Sequence, residues 1–588
     1  MINKHKTAAM DVHQKNARKL RKSIIQFIVL ILLALLLIKT LFNIDKYEEP
    51  DRAAWTGTDG FIAISYFGVG RAGTAKLVDK DQLKDQLEAL YDQGYVTISQ
   101  QDILDYYHEG KPLPEKALFL SFEDGRNDSS LFAQPLLERF NYKATFLSYA
   151  NKIGNSERKF VQPKEMLKMT KTGYWELGSN GYRLSYINVF DEEGRFIGEK
   201  DESELPDKSD IEYYNHYLMD FIRDKNMIPA EDRTQMEARI KTDYDLMKNI
   251  YTDSLGYVPG VYMIMHANAL GNGMNRLVTN ANEQQIRELF NLHFNREGNA
   301  LNTQADQVYN LSRVQPAPYW STNHLLMKIV QDSGQALEFV QGDEREAEKW
   351  RLITGAAEFK EGEIILTSPA GGMGRLALFD STGSNDISMR FEAAGNVVGR
   401  QGVYLRNDEE KGSYLRVDLV NNSLRVVQKT AGHEEETIYE EKLDPVIWSH
   451  EDLAYDKASV YTKEQTTAGD RDADEEYPIN IADQRLIQIS LQKDKLSVTV
   501  DDAEWIKQLP VDPSIDEGKL MLYAAYHKQN KKDTIYDGIF KEVEVYVSEP
   551  DAEEPSKLYS NIPTGWERVS YSVRNAFNSA IDWAVETF

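Results

Sequence analysis

The sequence predicts an α/β domain followed by an antiparallel β-sandwich of jelly-roll type, with a transmembrane helix ahead of both. Three observations carry that expectation. Apolar strands alternate with amphipathic helices from residue 61 to about 330. From about residue 340 the apolar period switches to two, with turn residues between the runs. Residues 24–44, IIQFIVLILLALLLIKTLFNI, are apolar at every position except Gln26, Lys39, Thr40 and Asn43.

The 588 residues are too many for one ordinary domain, so two folded units are expected. A net charge of −26 argues against nucleic acid as a partner, because phosphate binding needs a basic face. Most of that charge reads as solvated surface. The absence of cysteine excludes disulfides, thiolate metal sites and a cysteine nucleophile.

Residues 1–23 carry Lys4, Lys6, Lys15, Arg18, Lys19, Arg21 and Lys22 against one acid, Asp11. At ~1.5 Å per residue the apolar run 24–44 spans roughly 30 Å, one bilayer core. Asp45, Glu48, Glu49 and Asp51 follow it. The positive-inside rule then places the N-terminus in the cytoplasm and the bulk of the chain outside the cell membrane. No small-x-small cleavage site follows the run, so it reads as an uncleaved single-pass anchor. Residues 45–60 form a polar linker.

The α/β region opens with the strand FIAISYF (61–67). The helix DKDQLKDQLEALYDQGY (79–95) has Leu83, Leu87 and Leu90 on one face and Gly94 at its end. Ser99 is placed to cap the next helix. The strand ALFLSF (117–122), the helix LFAQPLLERF and the strands KATFLSY and WELGS follow. Residues 191–208 read as a polar loop, 209–255 as helical, and GVYMIM (260–265) as a strand. Such alternation implies a parallel sheet covered by helices, as a barrel or a doubly wound layer. In either form, ALFLSFEDG delivers Glu123 and Asp124 to the rim of the sheet, where α/β proteins place their sites.

The β-rich region spans residues 340–548. Asn421-Asn422 and Lys493-Asp494 sit where hairpin turns belong. An acidic insertion, 449–480, places Asp470, Asp472 and Asp474 at alternate positions. It lacks the glycine and closing glutamate of a calcium loop, and it reads as a solvated loop. Residues 549–588 are a linker and an amphipathic helix with Val569, Val573, Phe577, Ile581, Ala584 and Phe588 on one face. Docking on the protein is the expected use of that stripe, a partner or a membrane the alternatives.

From about 60 to 330 the order of elements resembles the NodB-type polysaccharide deacetylases, carbohydrate esterase family four. Within them it is most similar to the branch acting on poly-N-acetylglucosamine. Leu113-Pro114 before the strand, the Asp124-Gly125 turn, the KATF strand (143–146) and MEARIKTDYDLMKNIYTDSLGY (236–257) carry the likeness. It implies a (β/α) barrel-like domain over residues 61–335. It also implies amide hydrolysis at a divalent metal, usually zinc, that binds a water and polarises the acetamide carbonyl. In such enzymes an aspartate is the general base, and a histidine protonates the leaving amine.

The implied metal ligands are the second aspartate of a Thr-Phe-Asp-Asp-Gly motif and two histidines four residues apart. Here the first motif reads Ser121-Phe122-Glu123-Asp124-Gly125, with Asp124 at the ligand position and Glu123 at the base position. The extra methylene of Glu123 moves the proton acceptor by about 1 Å, a displacement that can cost about a hundredfold in rate. Asn180 and Leu184 stand at the two histidine positions, and Phe67 where a strand-end histidine is expected. The arginine-proline loop is YMIMHANALGN (262–272), which has neither residue but contains His266. No histidine occupies the acid position, near YNLSRVQPAPYW (309–320).

Three functions stay open on these residues. The first is a degenerate, non-catalytic glycan-binding protein without a cofactor, using Tyr182, Tyr186, Tyr262 and His266. The second is an active N-deacetylase whose zinc is held by Asp124, Asn180 and His266 or His216. The third is a structural scaffold in an envelope polysaccharide complex. The implied partners are a polysaccharide, the membrane through the N-terminal helix, and other polysaccharide-synthesis proteins. The β-rich region resembles concanavalin-like jelly rolls through GRQGVYLRNDEEKGSYLRVDL (399–419) and GIFKEVEVYV (538–547). That resemblance implies glycan contacts at Tyr404, Arg406, Tyr414 and Arg416.

Overall fold

The structure is a computed structural model that describes residues 19–24, 26–28, 30–31, 46–154, 159–191, 193–204, 211–264, 270, 274–381, 386–447, 481–530, 533–548 and 555–563. Most of the expected membrane span therefore lies outside the described residues, as do His266, the whole of the acidic insertion and the terminal stripe. Among the described residues no helix is long and apolar enough to cross a membrane.

The first domain is built on seven parallel strands: β1 (Phe61–Tyr66), β2 (Ala117–Phe122), β3 (Ala144–Tyr149), β4 (Trp175–Gly181), β5 (Val261–Met263), β6 (Leu292–Glu297) and β7 (Leu311–Arg313). Each pairs with the next in that order. Val314, just past β7, closes the ring by donating its N–H to Ala63 O (3.0 Å) and accepting from Ser65 N (2.9 Å). The alternation therefore resolves into a barrel.

Side chains alternate between the two sides of each strand. Phe61, Ala63, Phe119, Leu147, Val261, Met263, Leu292, Phe294 and Leu311 fill the barrel, with Phe119 stacked on Phe294 at 4.8 Å. The intervening residues, such as Ile62, Ile64, Leu118, Leu120 and Phe122, pack outward against the helices.

Local chemistry sets the helices. In α1 (Lys80–Asp92), Asp79 caps the first turn and Leu83, Leu87 and Leu90 are buried. Ser99 and Asp102 form a reciprocal capping box on α2 (Gln100–Glu109). The expected helix over 209–255 starts only at Arg233, where Asp232 and Gln235 make a second capping box. Ahead of it, Ile211–His216 is a strand paired with Ser185–Asp191, which pairs in turn with Phe196–Asp201. Residues 196–201 thus belong to a sheet and not to a loop. The aromatic-rich IEYYNH favours a strand.

The second domain is two antiparallel sheets around one apolar core. Seven strands form the first: Trp350–Thr354, Met373–Leu378, Lys519–Ala525, Arg400–Asp408, Ser413–Val420, Ser423–Lys429 and Glu436–Lys442. The second holds Ala356–Lys360, Glu363–Thr367, Asp537–Ser548, Asp386–Asn396, Ala482–Gln492, Lys495–Val500 and Ala503–Pro510, with Ser556–Ser560 along Asp537–Ser548. Asn421 and Asn422 both take positive φ, 47° and 62°, as a two-residue hairpin turn requires.

The domains meet at a buried histidine. His324 lies on the last barrel helix, Thr322–Ser333, with its ring stacked on Trp320 at 4.5 Å. Its Nδ1 is 3.0 Å from Asp537 Oδ2 and its Nε2 3.0 Å from Asp533 Oδ2, both on the sandwich. Asp533 also accepts from Trp320 Nε1 (2.9 Å) and the Tyr319 hydroxyl (3.1 Å), and Asp537 from Ser321 N (2.9 Å) and Thr367 Oγ1 (2.6 Å). Burial alone would lower the His324 pKa. The two carboxylates outweigh it and raise the value from 6.5 to about 10.

A raised histidine pKa means that the folded state holds the proton more tightly than the unfolded chain. The triad therefore stabilises fully below the unfolded value of about 6.5, and its contribution is lost as pH rises through about 10. His324→Ala leaves two buried carboxylates without their cation and should cost about 3–5 kcal/mol. Urea unfolding at pH 6 and pH 10 checks both statements: the wild type weakens over that range, and the variant loses most of this dependence.

Candidate functional site

The alternation that places Phe119 inside the barrel carries Ser121 and then Glu123 to its C-terminal mouth on the same side. Glu123 is completely buried. Its Oε1 accepts from Ser65 Oγ (2.6 Å), Gln315 Nε2 (2.7 Å) and Arg313 Nε (3.0 Å), while Asn180 Nδ2 lies 3.5 Å from Oε2. Arg313 is also buried, and it donates to Ile264 O (3.1 Å) and Arg296 O (3.3 Å). This carboxylate is an ion-paired, hydrogen-bonded closure of the barrel mouth.

Asp124 turns the chain at φ 65°, a left-handed conformation that aspartate tolerates better than most residues, and Gly125 continues at φ 69°. A side chain on Gly125 would press within 3.0 Å of Ser148 Cβ. The Asp124 carboxylate is 2.6 Å from Arg126 Nε, a charge contact toward which the N–H is not aimed. The Arg126 guanidinium lies 5.6 Å from the Phe67 ring centre. Burial raises the Asp124 pKa to about 6, against the lowering effect of Arg126.

Asn180 is spent on the backbone. Its Oδ1 accepts from Asp124 N (3.0 Å) and its Nδ2 donates to Met263 O (2.9 Å), which fixes the amide orientation. Leu184 packs with Tyr149 and Phe67 in an apolar cluster. For zinc this donor set does not fit. The Asn180 oxygen faces an N–H, Leu184 has no donor, and Asp124 faces a guanidinium. Among the described residues no group of three or more His, Cys, Asp or Glu side chains is placed to hold a metal.

The other expected contacts scatter. Tyr182 is half-buried at the mouth, 5.4 Å from the Arg183 guanidinium. Tyr262 lies between Val261 and Met263, so it faces outward. It is buried against Phe290 (4.7 Å) and Tyr244 (6.0 Å), with no face toward the groove. Tyr186 and His216 are buried in the three-stranded insertion, 5.2 Å apart. Tyr404 lies on the outer face of the seven-stranded sheet, accepting from Arg416 Nη1 (3.2 Å). Arg406 turns at a bulge and donates to Ile515 O (2.9 Å).

Sequence reasoning missed the two cations. Arg126 stands two residues after Asp124, a spacing that could have revealed it. Arg313 is 190 residues from Glu123, and only the barrel topology joins them. Tyr149 was missed too: its hydroxyl is buried without a hydrogen-bond partner among the described residues, and burial, then the charge of Asp124, raises its pKa.

No family model matches the chain. Among curated proteins it is 25% identical over 128 residues to YxkH of Bacillus subtilis (strain 168), designated a polysaccharide deacetylase; the match covers 21% of this chain and 45% of that one. It is 34% identical over 91 residues to the poly-beta-1,6-N-acetyl-D-glucosamine N-deacetylase of Escherichia coli (strain K12), covering 15% of this chain and 14% of that one. The first domain is polysaccharide-deacetylase-like. The chain spans less than half the length of either relative. Among solved structures, the deacetylase domain of BpsB from Bordetella bronchiseptica aligns with a TM-score of 0.35 at 18% identity, over 45% of this chain and 98% of that one.

The raised Asp124 pKa carries a stability prediction. The folded state binds this proton more tightly than the unfolded chain, so ionised Asp124 destabilises at neutral pH and the penalty disappears below the unfolded value of about 4. One pKa unit is worth about 1.4 kcal/mol, so Asp124→Asn should stabilise by up to about 3 kcal/mol at pH 7. Denaturant unfolding at pH 7 and pH 4 checks the sign: the gain should be large at pH 7 and small at pH 4.

Proposed function

We propose that the protein is a membrane-anchored, extracellular member of the polysaccharide-deacetylase group that binds glycan at the barrel mouth without hydrolysing it. Its place would be in exopolysaccharide or cell-envelope polysaccharide synthesis or modification. The relatives support the polysaccharide. The apolar run 24–44 with its basic leader supports the anchor. The observation that carries loss of catalysis is the use of Asn180. Where an imidazole ligand is expected, an amide is locked between Asp124 N and Met263 O.

With three donors on Glu123 Oε1, Arg313 among them, and Asp124 facing Arg126, neither carboxylate of the pair stands free as a general base. What remains is a rim of partly exposed Phe67, Arg126, Tyr182 and Arg183, suited to stacking on and hydrogen-bonding a sugar chain.

The test is bound zinc, cobalt and nickel in the purified chain, with acetate release from N-acetylated β-1,6-glucosamine oligomers. Substoichiometric metal and no acetate are expected, with oligomer binding weakened about tenfold by Tyr182→Ala. Stoichiometric metal with turnover abolished by Asp124→Ala would make the protein an atypical deacetylase instead. Protease added to intact protoplasts should remove the ectodomain.

A second expectation concerns the cation. Asn180→His with Leu184→His should bind zinc weakly while Arg126 remains and at least tenfold more tightly once Arg126→Ala is added. Competition with a zinc-sensitive dye reads the difference.

A further inference from the structure

The outer face of the seven-stranded sheet carries five arginines, and they are not treated alike: Arg351, opposite Ala377, lies 3.9 Å from Glu409. Strand register puts Arg375, Tyr523, Gly402, Asp418 and Arg425 in one row across five strands. The next row on one side holds Met521, Tyr404 and Arg416, and on the other Met373, Ala525 and Arg400. All are on one face, because directly opposed residues share a side of the sheet.

Arg416 and Arg425 are neutralised. Asp418 lies 3.3 Å from Arg416 Nε and 2.8 Å from Arg425 Nη2, and it accepts from the Tyr523 hydroxyl. Glu435 lies 3.1 Å from Arg416 Nη2. Arg375 and Arg400 have no carboxylate partner among the described residues, and Arg400 Nε is buried without a hydrogen bond. In a chain of net charge −26, two uncompensated arginines on one face stand apart.

From strand spacing and rise, the Cα atoms of Arg375 and Arg400 are about 12 Å apart, a gap two long side chains can close around one anionic group. On this face the strand between them carries Tyr523 and Ala525, both buried. Nearby, His527 has its pKa lowered to about 4 by burial and by Arg400, Lys528 and Arg425, a sign of positive potential on this side.

We propose that this face binds an anionic polysaccharide, with a carboxylate or phosphate group of the polymer held between Arg375 and Arg400. Arginine suits both groups because its planar fork donates two parallel hydrogen bonds to either. That the polymer is a polysaccharide rests on the proposed function; its charge rests on this face alone.

Calorimetry on the full-length chain in detergent, at low and moderate salt, separates the possibilities. The probes are an oligogalacturonate for carboxylates, a poly(glycerol phosphate) for phosphates, and a neutral N-acetylglucosamine oligomer. At least one anionic probe should bind, weaken with salt, and lose tenfold or more in affinity with Arg375→Ala and with Arg400→Ala. Arg400→Lys should recover part of the loss. Thermal melts check that the variants fold.

The proposal is overturned if no anionic probe binds, if the double variant binds as well as wild type, or if polyglutamate binds as tightly as the sugars. Failure of the neutral oligomer alone counts against the barrel-mouth reading and leaves this face untouched.

Discussion

A carboxylate inside a barrel must find its counter-charge within a few ångströms, because no water is there to supply one. Glu123 meets that constraint through Arg313, and much of the first domain is arranged around the pair. Arg313 ends β7, the strand next to the closure of the ring. Its other nitrogens reach carbonyls of Ile264 and Arg296, and Glu123 gathers groups from Ser65, Asn180 and Gln315. One ion pair thus joins the mouth of β2 to that of β7. Breaking such a pair from one side leaves an uncompensated charge, so the two residues are energetically a single unit. The same arrangement explains why a carboxylate at a base position need not act as a base: three donors already hold Oε1 and a buried arginine offsets its charge before any substrate arrives.

Electrostatics of the same kind joins the domains. His324 places its charge between two carboxylates on the sandwich, the indole and phenol donate to the Asp533 oxygen that faces it, and the Thr367 hydroxyl donates to the other oxygen of Asp537. The boundary near residue 340 is therefore clear in hydrophobic period but not in charge. A cut there would separate a buried cation from the anions it serves.

Much of the fold was legible because it rests on local rules. Leu83, Leu87 and Leu90 announced their helix, Ser99 its cap, and Asn421-Asn422 their hairpin. The acid pair at the sheet rim was legible from an apolar run ending in Glu-Asp-Gly. The strand at 211–216 was not, because a polar, aromatic stretch beside a long helix looks continuous with it until the capping box at Asp232 is weighed. The cations were hidden for a different reason. Arg313 and His324 act across 190 and 213 residues, distances over which sequence carries no geometric information. Tyr262 misled by a single position: with Val261 and Met263 facing inward, the residue between them must face out.

Arg126 gives the mouth an unusual property. A metal ion in a pocket has a dissociation constant, so the charge of the pocket follows the composition of the surroundings. A guanidinium on the backbone, 2.6 Å from Asp124, has none. It cannot be chelated, exchanged for a neighbouring metal or diluted away. The charge of the mouth therefore stays fixed whether the medium is rich in divalent ions or stripped of them, and any ligand meets the same surface in both.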